Sequence, residues 1–417
     1  MKSDISATEA AAILGVSLAT LYSYVSRGFL QSSEADGASR SKRYSREAVL
    51  HLAARKADGK RGGHRVAAAM HWGVPVLETR ISGINDGQLH YRGHKAVSLA
   101  QAASLEQVAA LLWGPSEQED PFELALPAFQ TPQADGRYWR VSVAGLDPLR
   151  RAQAYLPLLA QQNPSQQSPQ TLQSAGLPVD EQFRRSGAQL MRLLAALLLN
   201  TEPSSQPLHR QLAQAWGLTG RGADLIRAAL VLLADHELNA STFSVRCVAS
   251  TDAELPLVLS AGLAALAGPA HGGGCALARE IITAALSGDA VQAGLEGAGF
   301  GHPLYPAGDP RAQYLLARLA QRDQEATAAS TDALRWARVA EVTQALGQGA
   351  GLTPNADAAL AAIELALALP PGSGLVMFAL GRSAGWIAHA IEQRNEGQMI
   401  RPRARYLGPQ LSETAAS

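Results

Sequence analysis

Leu266-Ala267-Gly268-Pro269-Ala270-His271-Gly272-Gly273-Gly274 is the stretch on which the reading of this chain turns. Three glycines after a histidine let backbone N–H groups come close to a ligand, because no Cβ holds the chain away. A helix predicted from about Cys275 would point its N-terminus back at His271. That end is partly positive and favours the neutral form of a nearby imidazole. A neutral histidine can donate a hydrogen bond to a carbonyl oxygen that is gaining charge.

Three more polar clusters lie on either side of it. Leu233-Ala234-Asp235-His236-Glu237-Leu238-Asn239-Ala240-Ser241-Thr242 follows a predicted amphipathic helix bearing Leu225, Ile226, Ala229, Leu232 and Leu233. From the residues alone this is either a polar helix end satisfied by caps or a ligand site. Gly299-Phe300-Gly301-His302-Pro303-Leu304-Tyr305-Pro306-Ala307-Gly308-Asp309-Pro310-Arg311 and Thr353-Pro354-Asn355-Ala356-Asp357 add a His, an Arg and an acid. By itself, Asp357 reads equally as an acid in the first turn of a helix.

Composition bounds the rest. The 417 residues are enough for two or three domains, and hydrophobic residues at 47% suit a folded chain. Ala and Leu dominate the long middle and end, so the bulk is predicted helical. Lys plus Arg and Asp plus Glu each number 36, which excludes a general polyanion binder. Two cysteines, Cys247 and Cys275, make no disulfide framework, and a reduced, cytoplasmic protein is expected. No signal peptide is read at the start and no run of about 18 apolar residues occurs, so no membrane partner is expected.

The first sixty residues differ in character. Ser6 is a predicted cap for a helix with Ala11, Ile13 and Leu14, and Ser17 for a second with Leu18, Leu21, Tyr22 and Val25. Two short helices around Gly15-Val16-Ser17 make a helix-turn-helix. Ser41-Lys42-Arg43-Tyr44-Ser45 then leads into a third helix from Arg46. This segment resembles the MerR-like DNA-binding domain, a winged helix-turn-helix followed by a basic strand. Its basic residues suit phosphate contacts, and Ser17, Thr20, Tyr22 and Arg43 are the DNA-binding candidates. The other reading is an appendage that keeps the fold without the ligand.

From about Gly73 onward the motifs, in their order, resemble the citrate synthase family. The opening Leu77-Glu78-Thr79-Arg80-Ile81-Ser82 and Leu89-His90-Tyr91-Arg92-Gly93 fit, as do the four clusters above. So do Leu380-Gly381-Arg382-Ser383-Ala384-Gly385-Trp386-Ile387-Ala388-His389 and Ile400-Arg401-Pro402-Arg403-Ala404. The resemblance implies a mostly α, two-domain helical body behind a small winged helix-turn-helix. The expected domains are 1–60 (helix-turn-helix), 61–72 (linker), 73–271 with 363–417 (large domain) and 272–362 (small domain). It implies that His271, His302 and Asp357 are catalytic, with Asp357 the base, His271 the donor to the acyl carbonyl and His302 the donor to the keto oxygen of oxaloacetate. His236, Arg311, Arg382 and Arg401 would bind oxaloacetate, Arg401 from the partner subunit of a homodimer. Neither a metal nor a bound cofactor is implied; the CoA thioester is a cosubstrate.

Three departures stand out. Pro303 and Pro306 replace basic residues of the family pattern, the second at a position resembling a CoA-phosphate contact. Cys275 stands where the family usually has Asn, and the stretch from His271 to His302 is short. Arg279 or Arg403 would have to compensate. The expected activity is condensation of acetyl-CoA with oxaloacetate to citrate. The alternatives are the propionyl-CoA variant giving 2-methylcitrate, and a dicarboxylate-sensing DNA-binding regulator without synthase activity.

Overall fold

The computed structural model describes residues 4–14, 16–26, 32–34, 42–45, 49, 77–114, 120–123, 145–160, 179–289, 294–321, 331–404 and 408. The chain divides into two compact units, Met1–Glu78 and Thr79–Ser417. The expected linker at 61–72, and all but Val49 of the third helix expected from Arg46, lie outside the described residues.

In the first unit, strand β1 (Asp4–Ser6) runs into helix α1 (Ala7–Leu14), which is followed by α2 (Leu18–Ser26), β2 (Ser32–Glu34) and β3 (Lys42–Ser45). The predicted caps form. Ser6 and Glu9 make a capping box, Ser6 N donating to Glu9 Oε2 at 2.9 Å and Glu9 N to Ser6 Oγ at 3.3 Å. Thr20 N donates to Ser17 Oγ at 3.2 Å. The strands pair antiparallel in the order β1-β3-β2 and close over Ile5, Ala10, Ala11, Leu14, Leu21, Tyr44 and Val49. Leu18 and Tyr22 do not join this core: they are 42% and 48% exposed, four residues apart on one face of α2. The register of α2 turns Leu21 and Val25 inward instead.

The second unit opens with the antiparallel strands β4 (Ser82–Asn85), β5 (Gln88–Tyr91) and β6 (His94–Lys95). Asp86 and Gly87 both have positive φ (49° and 68°), as a two-residue hairpin turn demands. Helices follow: α3 (Ala96–Leu99), α4 (Leu105–Trp113), α5 (Pro148–Ala160), α6 (Val179–Leu199), α7 (Leu208–Ala215), α8 (Gly220–Leu233), α9 (Ala240–Ala249), α10 (Leu255–Leu266), α11 (Pro269–Gly272), α12 (Gly274–Ser287), α13 (Pro310–Ala320), α14 (Thr331–Gly349), α15 (Ala356–Ala366) and α16 (Ser373–Glu396). α8 is not the amphipathic helix its spacing predicts, because every residue from Leu225 to Leu233 is buried.

α16 is the axis of the unit, packed against α4, α6, α8, α9, α10 and α15. By length and composition it could cross a membrane, but here 89% of its apolar window is buried inside the protein. Gly381 and Gly385 sit one turn apart where the end of α8 crosses. A Cβ at Gly381 would lie 2.9 Å from both Leu230 O and Leu233 Cβ, and one at Gly385 would collide with Ala234 O and Asp235 Oδ1. Gly385 N–H donates to Ala234 C=O at 2.9 Å. Gly385→Ala is therefore expected to destabilise the protein by about 1–3 kcal/mol, the usual range for overpacking a core, which chemical denaturation would measure.

α12, α13, α14 and α15 pack mainly on one another, with α13 also on α8 and α15 on α16. The expected domain boundary at 362/363 falls inside α15, which continues unbroken to Ala366 because Ile363 and Glu364 stay buried on the same side as Ala359 and Leu360.

Candidate active site

Two motif loops are stitched together. Gly301 N donates to Thr353 O at 2.7 Å and Asn355 N to Gly299 O at 2.9 Å, while Asn355 Nδ2 donates to Gly301 O at 2.9 Å. Asp309 extends the seam. It caps α13 by accepting from Arg311 N at 3.0 Å, and it also accepts from Ala356 N at the start of α15 at 3.1 Å. His302, Arg311 and Asp357, distant in sequence, thus share one wall.

The end of α8 brings His236 to the same place. Its Nε2 is 2.9 Å from Tyr305 Oη, and its ring meets His302 edge-on at 5.2 Å between centroids. His302 and Tyr305 rings are 4.9 Å apart. His302 Nδ1 accepts from Leu304 N at 3.2 Å, so the neutral ring carries its proton on Nε2. Burial, then the charge of Arg311, pushes His302 down to about 4. His236 is held well below the usual histidine range by burial and by Arg311 and Arg382. Both rings are neutral donors or acceptors at pH 7.

His271, on α11, has Nε2 2.9 Å from Ser241 Oγ and its ring edge-on to Phe378 at 6.0 Å. Burial, with a contribution from Arg382, pushes it down to about 4 as well. Ser241 Oγ also lies 2.7 Å from Asn239 Oδ1 and accepts from Trp386 Nε1 at 3.3 Å. The Ser241 hydroxyl donates its proton to Asn239 Oδ1, which leaves Oγ as an acceptor toward His271 Nε2.

The cations are buried behind the histidines. Arg311 is 4% exposed and makes a two-bond fork with Asp309, Nε–Oδ1 at 2.9 Å and Nη2–Oδ2 at 2.7 Å. Burial alone would raise the Asp309 carboxyl; the Arg311 charge and hydrogen bonds outweigh it and hold the group below its ordinary value. Arg382 is 1% exposed, donates from Nε to Leu233 O at 2.8 Å and lies over the Phe378 ring at 4.7 Å. Its Nη1 has no hydrogen-bond partner and no carboxylate pairs with it among the described residues. Burial lowers Arg382 to about 10, still a cation at neutral pH.

Asp357 begins α15, its N–H held by Asn355 Oδ1 at 2.9 Å. Burial pushes its carboxyl up to about 6. A Cβ on Gly274 would lie 2.6 Å from Asp357 Oδ2, so only glycine at the start of α12 admits the carboxylate this close to the His271 turn. An acid raised to about 6, three neutral histidines and a buried arginine with an unpartnered donor form a site suited to proton abstraction beside a bound anion.

The sequence-predicted residues separate cleanly. His236, His271, His302, Arg311, Asp357 and Arg382 interact directly or electrostatically within one group. Arg401 is exposed after α16 and makes none of these contacts. Ser241, Tyr305 and Asp309 were missed as site residues although all three lie inside the quoted motifs; a hydroxyl or acid beside a functional histidine was the available signal. Arg279 is committed to the buried Glu364, Nε–Oε1 2.8 Å. In the helix-turn-helix unit, the Ser17 and Thr20 hydroxyls are 2.9 Å apart and Ser17 is spent on the cap, Tyr22 is exposed, and the Arg43 side chain lies outside the described residues.

Residues 69–403 match the family model described as the citrate synthase C-terminal domain. The citrate synthase of Haloferax volcanii is 32% identical over 378 residues, covering 81% of this chain and 94% of that one. The chain belongs to the citrate synthase family. It is an acyltransferase by that membership. Other family members similar to it differ in name: citrate synthase 2 of Bacillus subtilis (28% identical, covering 81% of this chain and 95% of that one) and 2-methylcitrate synthase 1 of Corynebacterium glutamicum (28%, 82% and 95%). The solved citrate synthase of Thermoplasma acidophilum, a ternary complex with carboxymethyl coenzyme A and oxaloacetate, shares the fold at TM-score 0.62 and 24% identity, covering 82% of this chain and 96% of that chain. Residues 5–57 match a helix-turn-helix domain model, so this family member carries an added N-terminal module.

Proposed function

We propose that the protein condenses acetyl-CoA with oxaloacetate, releasing citrate and CoA. The observation that carries this is the convergence of Asp357, His271 and His302 beside the buried Arg311 and Arg382. Asp357 takes a proton from the acyl α-carbon. An ordinary Asp, with a pKa near about 4, would be a weak base, and the upward shift of Asp357 narrows the gap. His271 donates to the thioester oxygen as it becomes an enolate. The enol carbon attacks the keto carbon of oxaloacetate, whose oxygen takes a hydrogen bond and then the proton from His302. Arg382 and Arg311 hold the two carboxylates. Water then cleaves the thioester, giving citrate and free CoA.

A homodimer completes this account, with Arg401 of the partner subunit reaching the carboxylates; its exposure in the single chain fits that part. The acyl donor is tested by comparing kcat/KM for acetyl-CoA and propionyl-CoA. The two differ by one methylene, worth about 1–3 kcal/mol in a pocket. A preference of tenfold or more for propionyl-CoA would move the assignment to 2-methylcitrate.

One observation favours a second reading. Pro303 and Pro306 are exposed and uncharged, and Arg279 is held by Glu364, while Arg311 and Arg382 are buried beside the histidines. In that reading the body senses a dicarboxylate and the N-terminal module binds DNA. A gel shift on the gene's upstream region at low salt, with and without oxaloacetate, tests it; no shift in either condition ends it.

A further inference from the structure

Asp235 is an acid that the chemistry above does not use, yet it is 0% exposed and fully desolvated. Its Oδ2 accepts from Ser82 Oγ and lies 3.3 Å from His389 Nε2. Those partners hold it ionised: burial would raise the group, but His389 and then Arg382 and Ser82 bring it below its ordinary value. Oδ1 has no hydrogen-bond partner among the described residues and rests on the bare Cα of Gly385. The cradle for this carboxylate is therefore made by three elements: β4 through Ser82, α16 through Gly385 and His389, and the end of α8.

What it holds in place is the turn that carries the dicarboxylate contacts. Asp235 directly precedes His236. Two residues before it, the Leu233 carbonyl receives Arg382 Nε at 2.8 Å. One residue after His236, Glu237 has φ +50°, a left-handed conformation that a glutamate adopts only when its surroundings fix it. Ser82 supplies part of that fixing, since its Oγ also accepts from Glu237 N at 3.1 Å, and Glu237 Oε1 accepts from Ile84 N at 3.1 Å. Across the β4–β5 pair, Ser82 faces Tyr91, whose hydroxyl lies 3.1 and 3.0 Å from the Val231 and Leu232 carbonyls at the open end of α8. On α16, Arg382, Gly385 and His389 recur at helical spacing, so one face presents the anion-binding guanidinium and the anchor together.

We infer that Asp235, His389 and Ser82 form a buried anchor that sets the spacing between His236 and Arg382, and so the affinity for the dicarboxylate. They are positioning residues, and the inference rests on the dicarboxylate reading of the site. His271 and Asp357 stand on other elements, α11 and α15, so loss of the anchor acts on the dicarboxylate and spares the thioester.

The test compares His389→Leu, which removes the ring donor, with His389→Gln, whose amide can replace it. Oxaloacetate affinity is read by calorimetry, and KM and kcat by thiol release. Expected for His389→Leu is a rise of about tenfold or more in oxaloacetate Kd and KM, with the acyl-CoA KM unchanged and kcat at saturation within about threefold, the size of effect seen when outer-shell partners of a site are lost. His389→Gln is expected to recover most of the affinity. Ser82→Ala, a milder change, should give a smaller rise of the same kind and serves if His389→Leu does not fold. Unchanged oxaloacetate Kd in folded His389→Leu or Ser82→Ala, with only a lowered Tm, would overturn the inference. The Kd arm needs no turnover, so failure of the synthase reading shows separately, as absent thiol release from the unsubstituted protein.

Discussion

Asp357→Ala is expected to lower kcat by about 10²–10⁴-fold, the usual contribution of a positioned general base, while oxaloacetate Kd stays within a few-fold. The separation follows from placement. Asp357 lies against Gly274 at the start of α12, whereas the dicarboxylate contacts come from the end of α8, α13 and α16. The pH profile carries the same information. The base must be ionised, and burial raises its carboxyl to about 6, so kcat should fall tenfold per pH unit below about 6, rather than below about 4 as for an ordinary Asp. Stability moves the other way. Between pH about 4 and about 6 the folded state binds more protons at this site than the unfolded chain, so its contribution to stability is present at low pH and is lost as pH rises through the folded pKa. Asp357→Asn removes that loss, so this variant should be inactive yet at least as stable as the parent at pH 7. Denaturant titration at pH 4 and pH 7 measures the effect.

Arg382→Met is expected to weaken oxaloacetate binding by about 2–5 kcal/mol, or roughly 30- to 5,000-fold, the range for truncating one partner of a buried charge pair. Arg382 is 1% exposed and its Nη1 is unpartnered among the described residues, whereas Arg311 is already engaged by Asp309, so a free donor for a ligand carboxylate comes from Arg382. Without ligand the same substitution is expected to lower Tm, because it removes a charge that helps hold the buried Asp235 ionised and the donor to the Leu233 carbonyl. Arg382→Lys keeps the charge but loses the planar fork, and should recover only part of the affinity. Calorimetry with oxaloacetate and thermal melts of the empty protein read both halves. A variant that loses stability and keeps oxaloacetate affinity would assign Arg382 to the core.

The helical class and the caps at Ser6 and Ser17 were legible because propensity and capping chemistry act locally. The six residues that converge were legible through motif resemblance alone. Nothing in the spacing of His302 and Asp357 brings them together; the seam between residues 299–301 and 353–355 does, and its backbone hydrogen bonds leave no side-chain pattern. α8 was misread because its nine-residue buried run is set by neighbours on all sides. The Asp235 anchor was hidden for a related reason. Its partners Ser82 and His389 lie 153 and 154 residues away, and a buried acid looks the same in sequence as a solvated one.

The most direct test of the central claim is thiol release from the purified protein given oxaloacetate and acetyl-CoA, with Asp357→Ala as the control. Release in step with oxaloacetate consumption, abolished in the variant, is the expected result. Folded protein that binds oxaloacetate but releases no thiol from acetyl-CoA or propionyl-CoA would contradict the claim.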